Sequence, residues 1–269
     1  MDDFRAKKLL QIGNIITPLI CGIITAVSSL GIEGGYQAIF TGDSYESLIG
    51  PAPITFAIWG PIFFFLALFV IYQARDLLKK ESEQISMPYV HEVSVFFMLS
   101  TIMAAGWYLL WSQRWIWPSV LAMILYLFFI LAAYLRLNIN KISRPLKEHL
   151  IIGVSWSMYA GWVTVATIVS ITTGLISIGF DTPIINERIW AVLVLLIALV
   201  IYLLVLVTRN DYIFPLVGAW ALIGIVIERL DPNNPLCSEV ALVATIGAIV
   251  LVIATGIGAF IQYKQKKNI

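Results

Sequence analysis

Aromatic side chains are the residues of this sequence whose type and spacing could support a chemical function. The chain has nine Trp, 11 Tyr and 14 Phe residues. Trp107 and Trp111 are four positions apart, and Trp156, Tyr159 and Trp162 follow one another at intervals of three. Residues three or four positions apart lie on one face of a helix. Rings gathered in this way form flat apolar walls, which suit the binding of a planar hydrophobic molecule.

Acids, bases and metal ligands are scarce by comparison. The only two histidines stand beside glutamates, His91 next to Glu92 and His149 next to Glu148, each at the start of an apolar stretch. A glutamate at a helix N-terminus complements the helix dipole, and we prefer this structural interpretation to a surface metal site. Two histidines at one membrane face do not assemble a Ser–His–Asp set. We therefore predict no catalytic residue, no metal site and no required cofactor.

The composition indicates which elements position the rings. Of the 269 residues, 60% are hydrophobic and only 12% are charged, and the mean hydropathy is +0.91. A disordered chain has the opposite composition, and a soluble domain could not bury this much apolar surface. The formal net charge of +1 gives no basic surface for nucleic acid. The sequence therefore predicts a polytopic membrane protein.

Eight apolar stretches are long enough to be considered as membrane helices, since crossing a bilayer takes about 20 residues. The seventh is the weakest, with Pro215 near its start, and a re-entrant segment is an alternative there. The predicted spans are residues 9–30, 55–73, 90–110, 116–137, 150–175, 189–207, 212–227 and 240–263.

The distribution of positive charge predicts the orientation. With eight spans, 14 of the 17 Lys and Arg residues fall on the side that holds both termini, and only Arg114, Arg188 and Arg229 fall on the other. Cytoplasmic loops retain Lys and Arg. We therefore expect a multi-pass protein of the cytoplasmic (cell) membrane with both termini in the cytoplasm.

Three segments carry a resemblance to a known family. Residues 51–60, PAPITFAIWG, resemble the Pro-Pro-Gly-Trp-x-Phe…Trp opening of the second helix of the TspO/translocator proteins, also called tryptophan-rich sensory proteins. Residues 104–111 look like that family's Asn-x-x-Trp segment in the third helix. Residues 161–170, GWVTVATIVS, are similar to its Trp-Val-x-Phe-Ala-Thr-Tyr-Leu-Asn in the fifth. The three segments occur in the family's order, each on the expected helix.

The resemblance implies a bundle of five helices whose outer loop covers a cavity for porphyrins or sterols. By position, it implies that the cavity is lined by Phe56, Trp59, Trp107, Trp162 and Ala166. The ring pattern adds Trp111, Trp156 and Tyr159 to the predicted ligand-binding residues. Ile54 stands where the family has Trp. We therefore predict a protein that is not an enzyme and leave a porphyrin-degrading activity open.

The combined prediction is an all-α polytopic membrane helix bundle of eight transmembrane helices. Residues 1–175 would form the TspO-like five-helix bundle, and residues 176–269 would add three helices to the same membrane domain. The predicted function is binding of a planar hydrophobic molecule, such as a porphyrin or heme, in an outer-side aromatic pocket, as a sensor or translocator. Residues 31–54, a long loop rich in glycine, would cover the pocket.

Two other functions stay open at this point. One is a transporter or flippase of a lipophilic substrate, with Pro18, Pro61, Pro118 and Pro215 as hinges, because proline interrupts helical hydrogen bonding. The other is a non-catalytic subunit that stabilises another membrane protein. The predicted partners are the lipid bilayer and the hydrophobic small molecule, with a homodimer as a further option and no nucleic acid.

Overall fold

A computed structural model describes residues 2–30, 47–179, 186–232 and 237–267 of the chain. Within these ranges the secondary structure is helical, and no strand occurs. The α-helices are α1 (Asp2–Ser29), α2 (Trp59–Gln73), α3 (Pro88–Val93), α4 (Phe96–Ser112), α5 (Ile116–Arg136), α6 (Ser155–Ser177), α7 (Glu187–Arg209), α8 (Ile213–Leu230) and α9 (Ser238–Lys267). A 3₁₀ segment (Pro53–Ile58) leads into α2, and a single α turn (Leu146–Glu148) followed by a π-helical segment (His149–Val154) leads into α6.

Seven helical segments in the described part of the chain are long and apolar enough to cross a membrane. The remaining apolar helix, α4, has 17 residues and is shorter than the seven. At 1.5 Å per residue it is about 26 Å long, the lower end of what a bilayer requires. The prediction of an all-α polytopic membrane bundle is thus confirmed, whereas the count of eight spans is not.

The predicted helix over residues 90–110 is interrupted, which corrects the sequence prediction. Helix α3 ends where the Ser94 N–H donates to the carbonyl of Val90 (2.9 Å), and Ser94 has a φ of 50°. Residues other than glycine seldom adopt a positive φ, and none does so inside an α-helix. The chain therefore turns at Ser94 and starts a new helix at Phe96, which is why α4 is shorter than predicted.

Helix α8, the predicted weakest span, is a continuous helix of 18 residues. Pro215 is its third residue, a position where a missing N–H removes no intrahelical hydrogen bond. The buried Asp211 carboxylate accepts hydrogen bonds from the N–H groups of Ile213 (3.0 Å) and Phe214 (3.1 Å). The first turn of α8 is therefore capped, and the helix is long and apolar enough to cross a membrane.

The chain divides into two compact units, and the boundary falls inside α6, between Ala160 and Gly161. Unit 1 comprises residues 1–41 and 59–160, and unit 2 comprises residues 42–58 and 161–269. In unit 1, α4 packs along α5, and α1 packs against α4. The predicted division into residues 1–175 and 176–269 stays a prediction.

Unit 2 is built on α8, which packs against α9 and α7. A Cβ atom on Gly218 would lie 2.8 Å from the Tyr202 ring, so only glycine allows α7 to approach α8 this closely. The Tyr202 hydroxyl donates to the carbonyl of Gly161 (2.7 Å) and fixes α7 against the second part of α6. The helices after residue 176 thus share a hydrophobic core with residues of α6.

The 3₁₀ segment before α2 also belongs to unit 2. The Ala52 N–H donates to the Gly224 carbonyl (3.0 Å), and the Trp220 indole N–H donates to the Thr55 carbonyl (2.8 Å). The hydrogen bond to Thr55 explains why Trp220 lies in the middle of a predicted span rather than at an interface. The described end of the predicted covering loop, residues 47–54, is therefore anchored on α8, whereas residues 31–46 lie outside the described residues.

Candidate functional site

Unit 1 contains a connected set of aromatic side chains, which we call the ring array. The Trp156 ring is at its centre, with ring centroids 5.7 Å from Phe97, 5.8 Å from Phe69 and 6.2 Å from Tyr159. Its contacts with Phe97 and Phe69 are edge-to-face, an arrangement that aromatic quadrupoles favour. The array consists of Trp59, Phe63, Phe69, Phe97, Tyr126, Trp156 and Tyr159.

The ring array runs from an exposed side chain to a fully buried one. Phe63 is 60% exposed and stacks on the half-buried Trp59, with ring centroids 5.0 Å apart. Trp59 contacts Tyr159 edge-on at 6.4 Å, and Tyr159 contacts Trp156, which is 0% exposed. Exposed apolar side chains on membrane helices face the acyl chains. The array therefore connects the lipid-facing surface of α2 with the interior of unit 1.

Two kinds of polar group lie within this apolar set. The Tyr126 hydroxyl donates to the Tyr159 hydroxyl at 2.7 Å, so this pair is satisfied internally. The indole N–H of Trp156 is buried and has no hydrogen-bond acceptor among the residues that the structure describes. A buried donor without an acceptor costs about 1–3 kcal/mol. The array thus contains a buried hydrogen-bond donor that no described residue satisfies.

The π-helical segment (His149–Val154) directly precedes Trp156 and sets its position. A π turn contains an extra residue, so the side chains after it are rotated relative to a regular helix, and such turns are frequent at functional sites. The Ser155 hydroxyl lies within hydrogen-bonding distance of the Phe65 carbonyl (3.0 Å), which joins the start of α6 to α2. A Cβ on Gly153 would lie 3.3 Å from the His149 ring, so this turn has little room for a side chain.

The structure places the eight predicted binding residues in three groups. Trp59, Trp156 and Tyr159 are joined in the ring array. Trp107 and Trp111 contact each other in unit 1, with ring centroids 6.5 Å apart. In unit 2, Phe56 contacts the buried Trp162 edge-on at 5.6 Å, and Ala166 is half-buried on the same helix as Trp162.

The position of the ring array along the helices differs from the outer-half pocket expected from the sequence. Phe69 lies in the last turn and a half of α2, and Phe97 is the second residue of α4. Both are close to residues 74–89, the segment between the second and third predicted spans, which was predicted to be cytoplasmic. Trp156, which packs between them, therefore lies toward that end of unit 1, whereas Trp59 begins α2 at the other end.

Sequence reasoning missed the phenylalanines of the array and Tyr126. Phe63, Phe69 and Phe97 stand in runs of apolar residues with no distinct pattern, and the π turn that aims Trp156 has no sequence signature. Tyr126 offered one signal, a hydroxyl inside an otherwise apolar span, because a buried tyrosine hydroxyl usually has a polar partner.

A buried polar cluster near the same end of unit 1 was also missed. The Asp76 carboxylate accepts from Lys7 Nζ (2.5 Å), Gln11 Nε2 (2.8 Å) and the Ile85 N–H (2.9 Å). Asn14, next on the same face of α1, donates to Gln73 Oε1 (3.1 Å). Asp76, Gln11 and Asn14 are essentially inaccessible to solvent. The cluster ties α1 to the chain that follows α2.

The electrostatics of the polar cluster favour an ionised Asp76. Burial by itself raises the pKa of the Asp76 carboxyl. The hydrogen bonds from Lys7, Gln11 and Ile85, together with the positive charge of Lys7, outweigh burial, so the pKa is lowered from its ordinary value. Lys7 and Asp76 therefore form a charged pair in the folded protein at neutral pH.

Three members of the two His–Glu pairs, His91, Glu92 and Glu148, take part in ion pairs. Arg144 Nη2 donates to Glu92 Oε2 (3.1 Å), and its Nη1 is 4.0 Å from Glu148 Oε2. His91 Nε2 is 3.5 Å from the exposed carboxylate of Asp3. Within the described ranges, no group of three or more His, Cys, Asp or Glu residues could hold a metal ion.

A second group of aromatic and charged side chains lies close by in unit 1. Arg75 Nη1 donates to the Tyr89 hydroxyl (2.5 Å), and its guanidinium lies 3.8 Å from the centre of the Tyr72 ring. Burial raises the pKa of Tyr89, and the neighbouring Arg75 only partly offsets that rise. The tyrosine therefore stays neutral and accepts the hydrogen bond.

Together, the fold and these clusters define a polytopic helical membrane protein with an aromatic interior. The sequence model of the TSPO-like protein family matches residues 11–257, and the chain therefore belongs to that family. No curated protein and no solved structure matches the chain. The family match continues through α7 and α8 into α9. The matched range thus includes residues of the last three helices as well as of the first five predicted spans.

Proposed function

We propose that this TSPO-like protein binds a planar hydrophobic molecule, such as a tetrapyrrole, in the ring array of unit 1. The observation that carries the proposal is the buried Trp156 N–H, which lacks an acceptor among the described residues. A ligand acceptor, a carbonyl or a carboxylate oxygen, would satisfy it. The stacked pair Trp59–Phe63 would hold the flat face of the ligand at the lipid-exposed end of the array.

Access from the bilayer follows from the same arrangement. A hydrophobic molecule concentrates in the acyl chains, and Phe63 at 60% exposure presents its ring there. Apolar contact provides about 25 cal/mol for each Å² of ligand surface that binding removes from water. The protein would act as a sensor or carrier of such a molecule, in the cytoplasmic membrane and with both termini in the cytoplasm.

The positions of the prolines give little support to a transporter that moves about proline hinges. Pro61, Pro118 and Pro215 are each the third residue of an α-helix, where proline breaks no helical hydrogen bond. Only Pro18 interrupts a helix of the described chain. We therefore favour binding over transport by hinge motion.

The test is a titration of the purified protein with protoporphyrin in lipid nanodiscs, followed by the shift of the porphyrin absorbance band. Trp156→Phe keeps an apolar ring and removes the N–H. We expect this variant to bind about 3–10-fold more weakly, the effect of one hydrogen bond. Trp117→Phe, at an exposed ring of α5, is the matched control and should bind like wild type. Equal affinities in all three proteins, or no binding to wild type, would refute the proposal.

A further inference from the structure

The arginine in the last turn of α8 is buried, and one of its N–H donors has no hydrogen-bond acceptor among the described residues. The Arg229 side chain is 5% exposed, and its nearest carboxylate is that of Glu228, 3.7 Å from Nη2 and beyond hydrogen-bonding distance. Its Nε–H is fully buried and has no acceptor within the described ranges. A guanidinium carries five N–H donors and stays charged at every physiological pH.

Glu228 compensates the positive charge of Arg229 through an ion pair at 3.7 Å, without a hydrogen bond. The C-terminal end of α8 supplies a partial negative charge near Arg229, but no acceptor among the described residues binds the buried Nε–H. Burying a cation without a hydrogen-bonded counter-charge is costly, and proteins usually avoid it by pairing. The geometry thus indicates that a group outside the described chain completes this site.

We propose that Arg229 binds an oxyanion, a carboxylate or a phosphate group, at the end of α8. The planar fork of a guanidinium matches the two oxygens of such a group and forms paired, charge-assisted hydrogen bonds with it. Helix α8 is long and apolar enough to cross a bilayer, and in that placement its last turn lies at headgroup depth. The oxyanion therefore comes either from the phosphodiester of an anionic lipid or from a soluble anion. The site lies within unit 2 and does not depend on ligand binding by the ring array.

The experiment measures the thermal unfolding midpoint of the full chain in a neutral detergent while one anion at a time is added. The probes are inorganic phosphate, acetate and a short-chain phosphatidylglycerol, with a short-chain phosphatidylcholine and chloride as references. The variants are Arg229→Gln and Arg229→Lys. Arg188→Gln is the matched control, because Arg188 lies on the same predicted side but is 59% exposed in its ion pair with Glu239.

In wild type, at least one probe should raise the midpoint by roughly 5 °C at a hundredfold excess over its dissociation constant. Arg188→Gln should keep this rise and Arg229→Gln should lose it. Arg229→Lys keeps the positive charge but lacks the planar guanidinium, and it should bind the anion about tenfold more weakly. If Arg229→Gln does not fold, Arg229→Lys is compared with wild type instead. A rise with phosphatidylglycerol alone identifies a lipid, and a rise with phosphate or acetate identifies a soluble anion. Midpoints that no anion raises, or a rise that survives in Arg229→Gln, would overturn the proposal.

Discussion

Replacing Asp76 by Asn tests whether the buried polar cluster holds unit 1 together through its charge. The substitution keeps the shape of the side chain and changes one carboxylate oxygen into an amide. Oδ1 of Asp76 accepts from Gln11, and Oδ2 accepts from both Lys7 and Ile85. An asparagine has only one acceptor oxygen, so in either orientation its NH₂ faces a donor.

The expected cost is at the lower end of the range for breaking a buried ion pair, about 3 kcal/mol. Lys7 keeps two other acceptors after the substitution, Gln84 Oε1 at 2.9 Å and the Ile85 carbonyl at 2.7 Å, which prevents a larger loss. Lys7→Met should cost a similar amount, because it leaves the Asp76 carboxylate buried without its cation. The double variant should be less destabilised than the sum of the two by about 2 kcal/mol.

The assay is unfolding of the purified protein in mixed micelles by titration with a denaturing detergent, followed by tryptophan fluorescence. Arg188→Gln, which breaks the exposed ion pair with Glu239, is the control and should leave the midpoint near that of wild type. Additive effects of the two single variants, or an Asp76→Asn midpoint equal to that of the control, would show that the pair contributes no charge coupling.

Three further predictions concern the same assay. Because the folded-state pKa of Asp76 is lowered, the stabilisation that Asp76 provides is present above the ordinary aspartate pKa of about 3.9 and is lost as the pH falls through the folded-state value. The unfolding midpoint should therefore fall less between pH 7 and pH 3 in Asp76→Asn than in wild type. Gly224→Ala should destabilise the protein by about 1–3 kcal/mol, because the new Cβ would lie 1.9 Å from Thr55 Oγ1, and unchanged stability would contradict this packing. Gly256→Ala is the control and should not destabilise the protein, because no atom lies within 4 Å of the new Cβ. Asp211→Ala should lower stability by about 1 kcal/mol, because the N–H groups of Ile213 and Phe214 lose their shared acceptor at the start of α8, and a wild-type midpoint would argue against that cap.

Most of the fold was predictable because length and hydropathy largely determine a membrane helix. The predicted spans over residues 116–137 and 189–207 differ from α5 and α7 by only one or two residues at each end. The break at Ser94 was not predictable, because the surrounding residues are apolar and a positive φ at serine has no compositional signal. The pairing of Lys7 with Asp76 was not predictable either, since sequence alone does not show that two charged residues 69 positions apart are buried together.

The candidate site was predictable in its residue types and less so in its arrangement. Trp156 and Tyr159 were predicted as binding residues from their spacing, and in the structure their rings contact each other. The phenylalanine rings around Trp156 come from two other helices, and such contacts depend on tertiary packing that single-sequence patterns do not encode. The missing acceptor of the Trp156 N–H likewise emerges only from the packed structure.

The most direct test of ligand binding in the ring array is the indole ¹⁵N–¹H resonance of Trp156, assigned by its disappearance in Trp156→Phe. Titration of nanodisc-embedded protein with protoporphyrin should shift this proton downfield, because the N–H gains an acceptor, while the exposed Trp117 indole stays unchanged. A Trp156 resonance that does not move at saturating protoporphyrin would contradict the account.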